Sequence, residues 1–98
     1  MEKAKVIATL KAHEAELRAL GVERLSIFGS TARGDERVDS DVDLAARFAP
    51  AAKVGMFQYA TIAHRLEQIL ATNVDLVAEP ARKPRMQIEI DQDRVHVF

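Results

Sequence analysis

Apolar residues recur along this chain with two different periods, and the switches between them mark out its elements. Val6, Leu10, Leu17 and Leu20 fall at helical spacings, with His13 filling the gap in the stripe. That pattern predicts one amphipathic helix over residues 3–20, closed by Gly21 as a left-handed cap. His13 is expected to be a packed or boundary histidine and not a ligand. Residues 22–28, VERLSIF, predict a buried strand that ends at Gly29-Ser30. One helical turn is expected over residues 31–34, its N-terminus facing whatever the Gly-Ser pair binds. Residues 35–40 are polar apart from Val38 and predict a loop or bend. A second strand then carries Val42, Leu44 and Phe48 and stops at Pro50. Because strand side chains alternate, Asp41 and Asp43 fall together on the face opposite Val42 and Leu44.

The helical period returns over residues 54–70. Tyr59, Ile62, Ala63, Leu66, Ile69 and Leu70 share one side, Gln58, Arg65 and Gln68 fall elsewhere, and Gly55 weakens the first turn. Tyr59 and Phe57 are expected in the core. Residues 73–78, NVDLVA, predict a third strand with Val74, Leu76 and Ala78 on one face and Asp75 and Val77 on the other. The tail reads two ways. Pro84 suits the first turn of a helix and Met86 and Ile90 lie one turn apart, whereas MQIEI also alternates as a strand would. The expectation is a short helix over 84–92 followed by a short strand over 94–98.

Helices connecting the strands of a small sheet imply an α/β (α+β) fold, a small two-layer domain with a mixed β-sheet and helices packed on it. At 98 residues the chain is expected to form a single domain, 1–98. Its 48% hydrophobic and 30% charged content is that of an ordinary globular protein. A net charge of -1 argues against a general nucleic-acid binder. Cysteine is absent, which excludes disulfides and thiolate metal sites. No apolar run approaches the roughly 20 residues of a membrane span. The charged N-terminus lacks the apolar centre of a signal peptide. These features predict a cytoplasmic domain with no direct contact to nucleic acid or membrane.

The candidate chemistry lies in residues 29–44, GSTARGDERVDSDVDL. A strand feeding a Gly-Ser turn offers backbone N–H groups and a hydroxyl to an anion. Two carboxylates on one strand face repel, and a hard divalent cation such as Mg²⁺ is the usual relief. If the second and third strands are neighbours, Asp41, Asp43 and Asp75 converge on one face. Two ions there would stabilise the attacking and leaving oxygens of an in-line phosphoryl displacement, and the third aspartate would help deprotonate the nucleophile.

Ten residues separate Gly29-Ser30 from Asp41-Val42-Asp43. That spacing resembles the signature of the polymerase-β-type nucleotidyltransferase superfamily. The fuller wording GSTARG…SDVDLAARF with a later VDLV looks like the minimal nucleotidyltransferases (MNT), the antitoxin halves of HEPN–MNT toxin–antitoxin pairs. The resemblance covers nearly the whole chain. It assigns Gly29 and Ser30 to the triphosphate, Asp41 and Asp43 to a catalytic Mg²⁺ pair, and Asp75 to the third carboxylate. Arg33, in the ARG triplet, becomes a phosphate contact. The activity it implies is Mg²⁺-dependent transfer of AMP from ATP to a tyrosine hydroxyl of a cognate HEPN ribonuclease toxin, with a hetero-oligomer of the two proteins as the assembly. A different class is an antitoxin that neutralises its partner by covering it, the nucleotide site being vestigial or regulatory. Modification of a small molecule such as an aminoglycoside would need a pocket that so short a chain builds only by oligomerising. Arg82, Lys83 and Arg85 read as a solvated basic turn, with a phosphate or toxin contact as the alternative, and His64 and His96 carry no assignment.

Overall fold

The computed structural model describes residues 1–35 and 41–98 of the chain. The elements run α1 (Lys3–Ala12), α2 (Glu14–Ala19), β1 (Val22–Phe28), α3 (Gly29–Arg33), β2 (Val42–Phe48), α4 (Met56–Leu70), β3 (Val74–Ala78), α5 (Pro84–Asp93) and β4 (Val95–His96). Most of the loop expected over 35–40 lies outside the described residues.

The strands form one sheet in the order β3-β2-β1-β4. β1 pairs antiparallel with both β2 and β4, whereas β2 and β3 run parallel, so the sheet is mixed. A parallel pair needs a crossover, and α4 supplies it. The small α+β domain expected from the pattern is the one observed. Pairing of β2 starts at Val42, whose N–H donates to the Asn73 carbonyl at 3.0 Å; Asp41 immediately precedes the strand.

Alternation along the strands sorts their side chains onto two faces. Val42, Leu44 and Ala46, with Leu25, Ile27 and Leu76, join Val6, Leu10 and Leu17 from the N-terminal helices and Ile62, Leu66 and Leu70 from α4 in one continuous core. The opposite face presents Phe28 and Ala45, covered by Ile90 of α5 with Val77, Ala81 and Met86 packed around them. The helical alternative for the tail therefore wins. Helix geometry brings Met86, Ile90 and Asp93 onto one side, and burial of Ile90 secures it.

Two expectations are corrected. The single helix over 3–20 is split at His13, whose φ of -109° and ψ of 15° leave the helical region. His13 N–H donates to the Leu10 carbonyl at 3.0 Å, a tightened closing turn, and the stripe resumes at Leu17. Just past the break, His13 Nδ1 lies 3.2 Å from Glu16 Oε1. Glu16 also accepts from both Nε and Nη2 of Arg65, and these bonds, above all those from Arg65, hold its carboxyl down at about 2. Phe57 is not in the core. Two residues from Tyr59 is roughly 200° around a helix, which turns Phe57 outward beside Met56; they are 84% and 78% exposed. Tyr59 packs as expected, edge-on to Phe48 with ring centroids 6.1 Å apart. Gly21, at φ +113°, ends α2 in the left-handed manner foreseen.

Candidate active site

The chain reaches the site by way of β1. At its end the backbone turns at Gly29, with φ +71°, directly into the short helix α3, two residues earlier than the pattern suggests. Phe28 is the antiparallel partner of Asp43, so Gly29 lies beside that aspartate. A Cβ built on Gly29 would stand 2.2 Å from Asp43 Oδ2. Glycine is therefore required twice over, by a left-handed backbone and by the carboxylate pressed against it. Thr31 and Ala32 bury α3 against the sheet, leaving Ser30 half-buried and Arg33 outward. The Thr31 hydroxyl, itself buried, has no hydrogen-bond partner among the described residues.

The parallel register of β2 and β3 sets Asp43 directly opposite Asp75. Both project on the α5 side of the sheet, the side of Ala45 and Val77. Like charges directly opposite on neighbouring strands repel. Burial, followed by the charges of Asp75, Glu89 and Asp41, pushes the Asp43 carboxyl up to about 6, and Arg33 offsets this only partly. Tyr59 lies within the field of the same cluster; burial and the Asp75 charge raise its phenol above the usual range. Asp41 and Asp75 are exposed, and Asp43 is half-buried between them and Gly29.

Among the described residues, no group of three or more His, Cys, Asp or Glu side chains is spaced as a ready-made metal cage. The chemistry of the donors nonetheless suits Mg²⁺: hard carboxylate oxygens in excess of nearby positive charge, with one held in an unfavourable ionised state. Arg33, expected on phosphate, is engaged by carboxylates. Its Nη1 donates to Asp93 Oδ2 at 2.7 Å and its Nε to Asp35 Oδ2 at 3.3 Å, which ties α3 to α5.

Reading the sequence alone passed over Glu89 and Asp93. A helical register through Met86 and Ile90 places both acids on the side that packs towards α3, but the competing strand alternation hid that side. The polar end of Tyr59 was also missed: its hydroxyl donates to the Leu76 carbonyl next to Asp75.

Residues 10–97 match the nucleotidyltransferase domain family. The chain belongs to that family. It is 33% identical over 89 residues to the protein adenylyltransferase MntA of Thermococcus cleftensis, covering 90% of this chain and 88% of that one. Among solved structures, a chain described as a candidate minimal nucleotidyltransferase superposes with a TM-score of 0.80 at 29% identity, covering 97% of this chain and 95% of that one. The MNT antitoxin complex with a tri-AMPylated Shewanella oneidensis HEPN toxin matches at a TM-score of 0.65. At 18% identity, over 90% of this chain and 68% of that one, it shares the fold. The family that the Gly-Ser and Asp-x-Asp spacing resembles is thus the family found.

Proposed function

We propose that this chain is a protein adenylyltransferase antitoxin that moves AMP from ATP, with Mg²⁺, onto a tyrosine hydroxyl of a HEPN-type ribonuclease toxin and so silences it. The observation that carries the reading is the Asp43–Asp75 pair, set side by side by strand register, with Asp43 pressed against the Gly29 turn. The names of the adenylyltransferase relative and of the HEPN complex support the choice of group and partner.

Gly29 and Ser30 receive the β- and γ-phosphates, since glycine allows the backbone N–H groups to approach and serine adds a hydroxyl. Arg33 exchanges its Asp35 and Asp93 contacts for phosphate oxygens. Asp41, Asp43 and Asp75 would hold the Mg²⁺, which when bound would supply charge neutralisation at the reacting phosphate. The tyrosine oxygen forms a bond to the α-phosphorus while the bond from that phosphorus to the bridging oxygen breaks. Pyrophosphate departs with the electron pair, and the hydroxyl proton passes to the Asp75 carboxylate.

The test is to incubate the protein with ATP, Mg²⁺ and a candidate HEPN-type toxin from the same genome, then to weigh the toxin by mass spectrometry. A gain of one or more AMP units, absent with Asp43→Ala, is the expected result. A tight complex with no change of mass selects instead an antitoxin that works by covering its partner.

A further inference from the structure

β3 is an edge strand, and the groove along its open side has no role in the nucleotide chemistry just described. It encloses about 390 Å³. Leu76, Val77 and Ala78 form its floor, Tyr59 and Met86 its walls, and Arg82 and Lys83 its rim.

Three features of this groove point the same way. The first is backbone. Val42 N–H donates to the Asn73 carbonyl and Glu79 N–H to the Ala46 carbonyl, so the odd-numbered residues of this stretch bond to β2. The N–H and C=O groups of Val74, Leu76 and Ala78 therefore face outward. Glu67 accepts from the Val74 N–H at 3.2 Å and Tyr59 donates to the Leu76 carbonyl. The Leu76 N–H and both groups of Ala78 have no partner among the described residues, and they lie on the groove floor. One residue of an added strand closes both bonds of Ala78. The second feature is charge. Arg82 and Lys83 stand side by side on the rim, both exposed and in no ion pair among the described residues, and so place two positive charges at the groove of a chain of net charge -1. The third is position. Across the sheet the order is groove, Asp75, Asp43, Gly29, and Val77 lies about 7 Å along the strand from Asp75 on the same face. In-line transfer needs the attacking oxygen and the leaving pyrophosphate on opposite sides of the phosphorus. With the triphosphate at Gly29, the acceptor must enter from the β3 side.

We infer that the β3-edge groove is the docking site for the acceptor polypeptide: an extended, acidic segment of the toxin that adds to the strand edge and delivers its hydroxyl to Asp75. An apolar side chain of that segment fills the space between Tyr59 and Met86, and its acidic residues meet Arg82 and Lys83. The inference rests on the adenylyltransferase reading for the identity of the partner. Its test is independent of turnover.

The complex with the same toxin is titrated calorimetrically for the wild type, for the double variant Arg82→Glu/Lys83→Glu, and for Met86→Glu, with circular dichroism confirming that each is folded. The expected result is at least tenfold weaker toxin binding for both variants, with the Kd for ATP unchanged. Wild-type affinity should also fall with added salt, while that of the double variant does not. Unchanged toxin binding, or no wild-type complex at all, overturns the inference. Weakened ATP binding with intact toxin binding also overturns it and gives the groove to the nucleotide base. A photo-crosslinker at position 86 should label an acidic stretch next to the modified tyrosine; labelling of a basic or distant segment refutes the occupant. Groove-dependent toxin binding without AMP transfer by the wild type would leave the docking site standing and remove the catalytic reading.

Discussion

The Asp43 carboxylate is held where the fold disfavours its charge, so neutralising it should stabilise the metal-free protein while ending catalysis. In Asp43→Asn the side chain keeps its shape and loses the repulsion from Asp75, Glu89 and Asp41. The displacement of its pKa from 3.8 to about 6 corresponds to roughly 3 kcal/mol at full strength. Asp43 is only half-buried and its acidic neighbours Asp41 and Asp75 are exposed, so solvent screening leaves about 1.5 kcal/mol. The sign follows from linkage. With a folded-state pKa above the unfolded one, the native state binds more protons between pH 3.8 and about 6, and wild-type stability falls as pH rises through that window. The advantage of Asn should therefore be absent near pH 3.5, grow through the window, and stay constant above pH 7. For a domain of this size it amounts to a rise in Tm of about 6–10 °C. Thermal unfolding in EDTA at pH 3.5, 5 and 8 measures it. Added Mg²⁺ should raise the Tm of the wild type at pH 8 and leave that of the variant nearly unmoved. An advantage equally large at pH 3.5, or none at pH 8, would refute the electrostatic argument.

Gly29→Ala places a methyl group against Asp43 Oδ2 in a left-handed backbone; we expect a loss of roughly 1–2 kcal/mol from the backbone alone and at least a tenfold fall in kcat, read by denaturant titration and turnover. Arg94 donates to Ser26 Oγ at 3.0 Å and to both oxygens of Glu79, which is itself only 10% exposed. Arg94→Met should cost about 2 kcal/mol, a urea midpoint shift that checks this linkage of β4, β1 and the end of β3. The Arg94 guanidinium holds the Glu79 carboxyl below its ordinary value, so its contribution is present above pH 4.5 and lost as pH falls through the depressed value. Arg94→Met should accordingly flatten the acid limb of the stability curve. Phe57→Ser removes a largely exposed side chain and should change stability by less than about 0.5 kcal/mol in thermal melts.

Much of this protein was legible along the chain because its signals are local. The two strand runs VERLSIF and VDLAARF, the stripe of α4 and the left-handed stop at Gly21 each follow from period and backbone preference within one segment. The Gly-Ser and Asp-x-Asp wording likewise carried the family, since its meaning lies in residue types and a fixed separation. Local signals also misled. The 3–20 stripe continues through a break that backbone dihedrals alone reveal at His13, and Phe57 was assigned by its hydrophobicity although its helical phase turns it outward.

What the sequence decided by itself was the content of the elements and the kind of chemistry their residues suit. The tertiary structure decided who stands next to whom. Strand order and register placed Asp75 opposite Asp43, antiparallel pairing pressed Gly29 against that carboxylate, and α5 brought Glu89 and Asp93 alongside. These proximities join residues tens of positions apart. They depend on which surfaces are buried together, and no short window of sequence contains that information.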